Sequence, residues 1–248
     1  MSRRHLDRAA DAIRPIEIET GFMKTAAGSV LYQAGGTRVL VNASIVDEAP
    51  EWLEGGGWLT AEYHMHPCAG PRRQGGAKKR RGPDGRATEI ARLIGRSLRA
   101  AVLLEELGPR TIVVDCDVLE ADGGTRTACI NAGTVAVALA LEKMRSDGRI
   151  GGGVMRGLAC AISAGKVGDS LFVDLDYKED VRADVDLNVI GFSTGELIEI
   201  QGGAEGAPIA RSTLNSLTDL AFSAFSSVVD AQRQALSSIS LDKIVRKA

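Results

Sequence analysis

The chain has 248 residues, 44% of them hydrophobic and 25% charged, with a formal net charge of −2. That length buries a sizeable core, and the near-neutral balance excludes a protein that meets nucleic acid through overall basicity, so any such contact must be local. Cys68, Cys116, Cys129 and Cys160 lack CxxC spacing and read as reduced, mostly buried thiols; no signal-peptide-length apolar stretch follows the basic start, and the longest apolar run, TVAVALAL, is far short of the roughly 20 residues that cross a bilayer.

In chain order, IEIET, GSVLYQAG, TRVLVNASIV and GWLTAEYHM are β-branched or alternating runs punctuated by glycine and proline, and they predict a meandering sheet. Over 87–107, Ile90, Leu93, Ile94, Leu98 and Ala101 recur at helical spacing, with Thr88 as a possible cap and Gly108-Pro109 as the stop. TIVVDCDVLEA then reads as a strand with Ile112, Val114, Cys116 and Val118 on one face and Asp115 and Asp117 on the other. A second helix is expected from about Thr127 to Met144, and the glycine-rich SDGRIGGGVMRG reads as a boundary.

The second half repeats the order: strands at GLACAISAG, SLFVDLDY, ADVDLNVIGF and ELIEIQG, then a helix from about Ser212 into the 230s. The fold class is therefore α+β, a duplicated sheet-then-helix unit whose mixed sheets pack against helices, in one domain over 1–248 with internal halves near 1–145 and 157–248.

Three constellations carry chemistry. In ADGGTRTACI a strand passes through a glycine turn into a helix, so the N–H groups of Gly124, Thr125 and Arg126 can converge on an anion; the hydroxyl and guanidinium of the last two suit phosphate. A tight turn with a surface arginine is the competing reading. Between Arg72 and Arg99, ten basic residues face only Asp84 and Glu89: Arg72, Arg73, Lys78, Lys79, Arg80, Arg81, Arg86, Arg92, Arg96 and Arg99. They make either a footprint for a polyanion or a solvated loop, and Arg86, beside the helix start, could reach a bound anion. In VDLDYKEDVRADVDLN, read as two strands and a polar turn, Asp184, Asp186 and Asn188 alternate onto one face and Asp180 approaches from the turn. Such carboxylates bind a divalent cation, transfer a proton or simply face solvent. His64, His66 and Cys68 mimic a zinc site without a fourth ligand, and Asp115 with Asp117 forms either a second acidic pair or ion pairs with nearby arginines.

Taken together, TAEYHMHP, ATEIARLIGRSLRA, TIVVDCDVLEADGGTRTACINAG and VDLDYKEDVRADVDLNV closely resemble the bacterial ribonuclease PH family, in order over nearly the whole chain. The lack of a signal-like or bilayer-length apolar run leads to the expectation of a cytoplasmic protein, and the resemblance implies the ribonuclease PH-like fold and a phosphorolytic 3′-to-5′ exoribonuclease. Inorganic phosphate, as co-substrate, attacks the terminal phosphodiester of RNA and releases nucleoside 5′-diphosphates. The implied substrate is the 3′ trailer of precursor tRNA, and the reverse reaction, adding nucleotides from diphosphates, makes the enzyme a tRNA nucleotidyltransferase.

By position, the resemblance assigns phosphate binding to Arg86, Gly124, Thr125 and Arg126. It assigns Mg2+ binding or general acid catalysis to Asp180 and Asp186. RNA binding falls to Arg72, Arg73, Lys79, Arg80, Arg81, Arg92, Arg96 and Arg99, on the surface of a homo-oligomeric ring, a hexamer built as a trimer of dimers. A non-catalytic RNA-binding subunit and a hydrolytic nuclease are the competing classes.

Overall fold

The computed structural model describes Arg4, residues 7–73 and residues 85–246. Among the described residues nine strands make two sheets, packed with five α-helices. The first contains β1 (Ile16–Thr20), β2 (Gly28–Ala34), β3 (Thr37–Val46), β4 (Trp58–Met65) and β5 (Thr111–Glu120), in the order β1-β2-β3-β5-β4. Only its first three strands follow the expected meander. β5 inserts between β3 and β4 and runs parallel to β4, because the intervening α1 (Gly85–Ala101) packs on β4 and returns the chain in the same direction.

The second sheet, β7 (Ser170–Val173), β6 (Ala159–Val167), β8 (Val185–Phe192) and β9 (Leu197–Ala204), is antiparallel throughout, in the order β7-β6-β8-β9. α4 (Arg211–Ala235) packs against it with a stripe of Leu217, Ala221, Phe225, Val228 and Gln232, the spacing of a half-buried helix. A short α5 (Leu241–Ile244) follows.

α2 (Thr125–Ser146) lies between the sheets and touches β2, β3 and β5 on one side and β6 on the other. Its run of Ala, Val, Ile and Leu is apolar on nearly every face, as burial on all sides demands, and Ala136, Ala138, Ala140 and Leu141 have no exposed surface. α2 also ties the second sheet by its few polar side chains. Beyond the end of β7, β6 has one unpaired edge, where Asn131 accepts from Ala161 N at 2.8 Å and donates to Ala161 O at 2.9 Å. Thr134 and Gln232 both donate to Ala159 O, each at 3.0 Å. Side chains thus complete a ladder that has no neighbouring strand there.

Three boundaries differ from those expected. The first helix starts at Gly85, so Thr88 lies inside it, and it ends at Ala101, where Val102 bridges to Met155 and Leu103 N donates to Val154 O, before a separate 3₁₀ turn at Leu104–Leu107. The second helix begins two residues early, at Thr125. The strand expected to run through SLFVDLDY stops at Val173, and Tyr177–Asp180 forms the short helix α3, closed by a reciprocal capping box between Asp176 and Glu179. Asp180 therefore sits at a helix end and not in a hairpin turn.

Replacing Asn131 by Leu would leave both backbone groups of Ala161 buried without partners. Each orphaned group costs about 1–3 kcal/mol. Urea titration is expected to show a loss of that order or more with an unchanged m-value; a loss below about 0.5 kcal/mol would mean that the β6 edge is satisfied some other way.

Candidate active site

The turn from β5 to α2 passes through Gly123 and Gly124 at φ +79° and +66°, a conformation that residues with a side chain rarely adopt. Gly123 has a second reason to be glycine. A Cβ there would stand 2.5 Å from Leu175 O and 2.8 Å from Tyr177 N, so the turn presses directly on the chain entering α3.

The carbonyls of the turn are all held on one side. Arg14 donates to Asp122 O at 2.5 Å, Thr37 Oγ1 to Gly123 O at 2.7 Å and Thr127 Oγ1 to Gly124 O at 2.9 Å. Because a trans peptide points its N–H opposite to its C=O, the N–H groups of Gly124 and Thr125 turn the other way, at an α2 N-terminus that no side chain caps. N–H groups turned outward at an uncapped helix start can receive an anion.

Side chains from both sheets complete it. Thr125 Oγ1 lies 3.0 Å from the Tyr63 hydroxyl of β4. Burial pushes the Tyr63 phenol up to about 12, so it stays protonated and available as a donor. Arg126 donates to Gln201 Oε1 at 2.9 Å; Gln201 in turn donates to Glu89 Oε1 at 2.5 Å, and the other Glu89 oxygen is 3.6 Å from Arg126 Nη2. A closed network of α1, α2 and β9 thus aims the guanidinium.

Asp180 and Asp186 come together facing these arginines. Burial raises the pKa of Asp180, while Arg86 and Arg126 pull it down and Glu205 adds to the rise. Asp186 is pushed up to about 6, first by burial and next by the charge of Asp180, against the pull of Arg126 and Arg86. Asp180 is exposed and Asp186 half-buried, and the negative charge of Asp180 that raises Asp186 makes the two a pair of oxygen donors able to receive a hard divalent cation. Among the described residues no group of three or more His, Cys, Asp or Glu side chains could hold a metal alone, so such an ion would need oxygens from substrate or water. That also removes the zinc alternative at His64, His66 and Cys68, where the His66 ring accepts from Cys68 N at 3.2 Å. Asp184, the third expected acid, is exposed and turns away, accepting from Gly168 N at 2.9 Å. Asn188 is buried.

The basic positions divide. Arg72, Arg73 and Arg92 are exposed, whereas Lys79, Arg80 and Arg81 lie outside the described residues. Arg96 makes a bidentate pair with Glu199, and Arg99 donates to Leu59 O at 2.9 Å while its guanidinium stacks 4.6 Å from the Trp58 ring centre. These two brace α1 against β9 and β4. No ion pair among the described residues joins Asp115 or Asp117 to an arginine.

Tyr63, Glu89, Gln201 and Glu205 were not singled out from the sequence. Tyr63 shares its strand face with Leu59 and Ala61 and reads as core; Glu89 and Gln201 are polar residues whose partners lie over 70 residues away, and Glu205 acts on Asp180 and Asp186 from across a strand and a turn. Only the fold brings them in.

Residues 12–141 match the model of the 3′ exoribonuclease family, domain 1, and residues 157–224 match its domain 2. Ribonuclease PH of Mycobacterium tuberculosis is 48% identical over 95% of this chain and 92% of its own length; that of Mycobacterium avium is 47% identical over the same shares. Among solved structures, rice Rrp46 superposes with a TM-score of 0.78 at 19% identity, covering 94% of this chain and all of its own. An Archaeoglobus fulgidus exosome with RNA bound to the active site gives 0.77 at 22% identity over 92% of each chain.

A methyl group at Gly123 is excluded both by its φ and by the backbone at residues 175–177. Inorganic phosphate at a hundredfold excess over its Kd stabilises a binding-competent fold by about 2.7 kcal/mol. Thermal denaturation is expected to show that stabilisation in the unsubstituted protein and its loss in Gly123→Ala; equal phosphate shifts in the two proteins would place the anion elsewhere.

Proposed function

The chain belongs to the 3′ exoribonuclease family as one of its ribonuclease PH members, and we propose that it shortens RNA from the 3′ end by phosphorolysis at the site between α2, α3 and β8. The observation that carries this reading is the opposition of charge: the arginines Arg86 and Arg126 act on the same two carboxylates, Asp180 and Asp186, that a scissile phosphate would have to approach.

Phosphorolysis brings a phosphate dianion against a phosphodiester, and their repulsion must be offset before they meet. Arg86, Arg126, the Thr125 hydroxyl and the N–H groups of the glycine turn hold the nucleophile in line, with Tyr63 fixing Thr125 and with Glu89 and Gln201 fixing Arg126. Little covalent help is needed, since phosphoryl transfer is catalysed chiefly by positioning and charge stabilisation. A new P–O bond forms to inorganic phosphate as the bond to the preceding 3′-oxygen breaks, which releases a nucleoside 5′-diphosphate and leaves a 3′-hydroxyl. Asp180 and Asp186 face the leaving group. Mg2+ held there would neutralise charge on the scissile phosphate.

The natural substrate we propose is precursor tRNA with a 3′ trailer, in the cytoplasm, gripped by exposed Arg72, Arg73 and Arg92 together with Lys79, Arg80 and Arg81. No helix among the described residues is long and apolar enough to cross a membrane. We further propose a hexameric ring, a trimer of dimers. Trp52, 65% exposed, Val181, 66%, and Leu197, 51%, are apolar surface that such an assembly could cover.

Arg126→Ala is expected to lower the phosphate-dependent rate by about 10²–10³-fold, the cost of removing one charge-stabilising donor, while RNA affinity without phosphate stays within threefold. Loss of both together would contradict the separation of catalytic and RNA-holding cations. Neutralising Arg72, Arg73, Lys79, Arg80 and Arg81 should make the log–log salt dependence of RNA binding shallower by about 0.7 for each RNA phosphate that is no longer neutralised. An unchanged slope would remove this segment from the RNA footprint.

A further inference from the structure

Among the described residues, a buried cluster of opposed charges lies apart from the phosphate and acid groups of the proposed reaction. Arg4, Arg8 and Arg14 from the start of the chain meet Asp174, Asp176 and Glu179 around the entry to α3. The charges balance three to three, and Arg14 and Asp174 are almost wholly buried, at 3% and 6% exposure. Burying ions costs several kcal/mol each even after relaxation, and an apolar core of equal volume is often no less stable. Stability alone therefore does not explain why the charge is here.

Arg14 is the member that reaches furthest. Its Nε and Nη2 fork onto Asp174 at 2.9 and 2.7 Å, and its backbone N donates to the same carboxylate at 2.6 Å. The other edge of the guanidinium donates to Asp122 O at 2.5 Å and Gly123 O at 3.4 Å, the carbonyls whose orientation turns the neighbouring N–H groups outward. Asp174 is one of two non-glycine residues at positive φ among the described residues, at +54°, and two residues later Asp176 caps the helix that ends in Asp180. One rigid planar group thus spans from the anion turn of the first half to the acid-bearing helix of the second. Gly123 packs against the same stretch of backbone, 175–177.

We propose that Arg14 is a positioning residue for phosphorolysis, fixing the anion turn and the Asp180 helix in one geometry through Asp174 on one side and the carbonyls of Asp122 and Gly123 on the other. The inference rests on the phosphorolytic reading of the site. Lysine keeps the charge but offers a single point in place of a fork, so it can serve the carboxylate or the carbonyls, not both.

The test compares the full-length protein with Arg14→Lys and with the paired variant Arg14→Gln/Asp174→Asn, which removes both charges together and leaves no unpaired ion to unfold the chain. Phosphate-dependent nucleotide release is measured against inorganic phosphate and against RNA, on protein shown by circular dichroism to be folded. The expected result is a KM for phosphate raised at least tenfold in each folded variant, with the KM for RNA within twofold. A purely structural brace would lower the melting temperature and leave the KM for phosphate unchanged in the folded protein, and that result would overturn the inference. Arg126→Ala serves as the control. If it loses phosphate-dependent release while the Arg14 variants keep the native KM, this inference alone fails. If Arg126→Ala responds to phosphate like the unsubstituted protein, the phosphorolytic reading fails and takes this one with it.

Discussion

The burial of α2 is the constraint on which the architecture turns. A helix apolar on nearly all faces cannot lie on a surface, so two sheets must close over it, and each half supplies one. Once it is enclosed, its N-terminus is held at a fixed place between the sheets. The unpaired N–H groups there face whatever β8, β9 and α3 present. The same helix carries Asn131 and Thr134, which complete the open edge of β6. Packing thus brings the start of α2 and the carboxylates of the other half together without any direct bond between Arg126 and Asp186.

The site is a balance of opposed charges held apart by scaffolding. Two arginines alone would bind anions indiscriminately, and two neighbouring carboxylates alone would take up protons, in the direction in which Asp186 is pushed, up to about 6. Side by side, each partly satisfies the other through the field between them. Glu89 and Gln201 tether Arg126 from the side, so its guanidinium is aimed but still able to bind. This arrangement leaves room for a substrate that is itself both anion and cation-seeker.

Much of this was legible in the sequence, and what was missed has physical reasons. The faces of β5 and α1 follow from period-2 and helical spacing, and GGTR announces an anion turn because glycines at positive φ lead into a helix start. The order β1-β2-β3-β5-β4 could not be read, since strand neighbours depend on where α1 docks. DLDYKED reads as strand and turn because it is polar and short, although Asp176 and Glu179 already spell the capping box of α3. Asp180 and Asp186 are proposed from alternation and resemblance, and the fold brings the two within reach of each other's charge. Tyr63 hides as a core residue, and Arg14 reads as one more basic residue in a basic N-terminus; its carboxylate partner lies 160 residues on. Arg96 and Arg99 look like part of the RNA footprint by charge, yet a carboxylate and an indole within the chain already engage them.

The central claim is that inorganic phosphate, held by Arg126 and the glycine turn, is the nucleophile. The most direct measurement supplies radiolabelled inorganic phosphate and magnesium with a 3′-tailed tRNA and follows the label. The account predicts that released nucleotides are 5′-diphosphates carrying the label in their β-phosphate and that none appear when phosphate is withheld. Unlabelled monophosphates released without phosphate would make water the nucleophile and contradict the account.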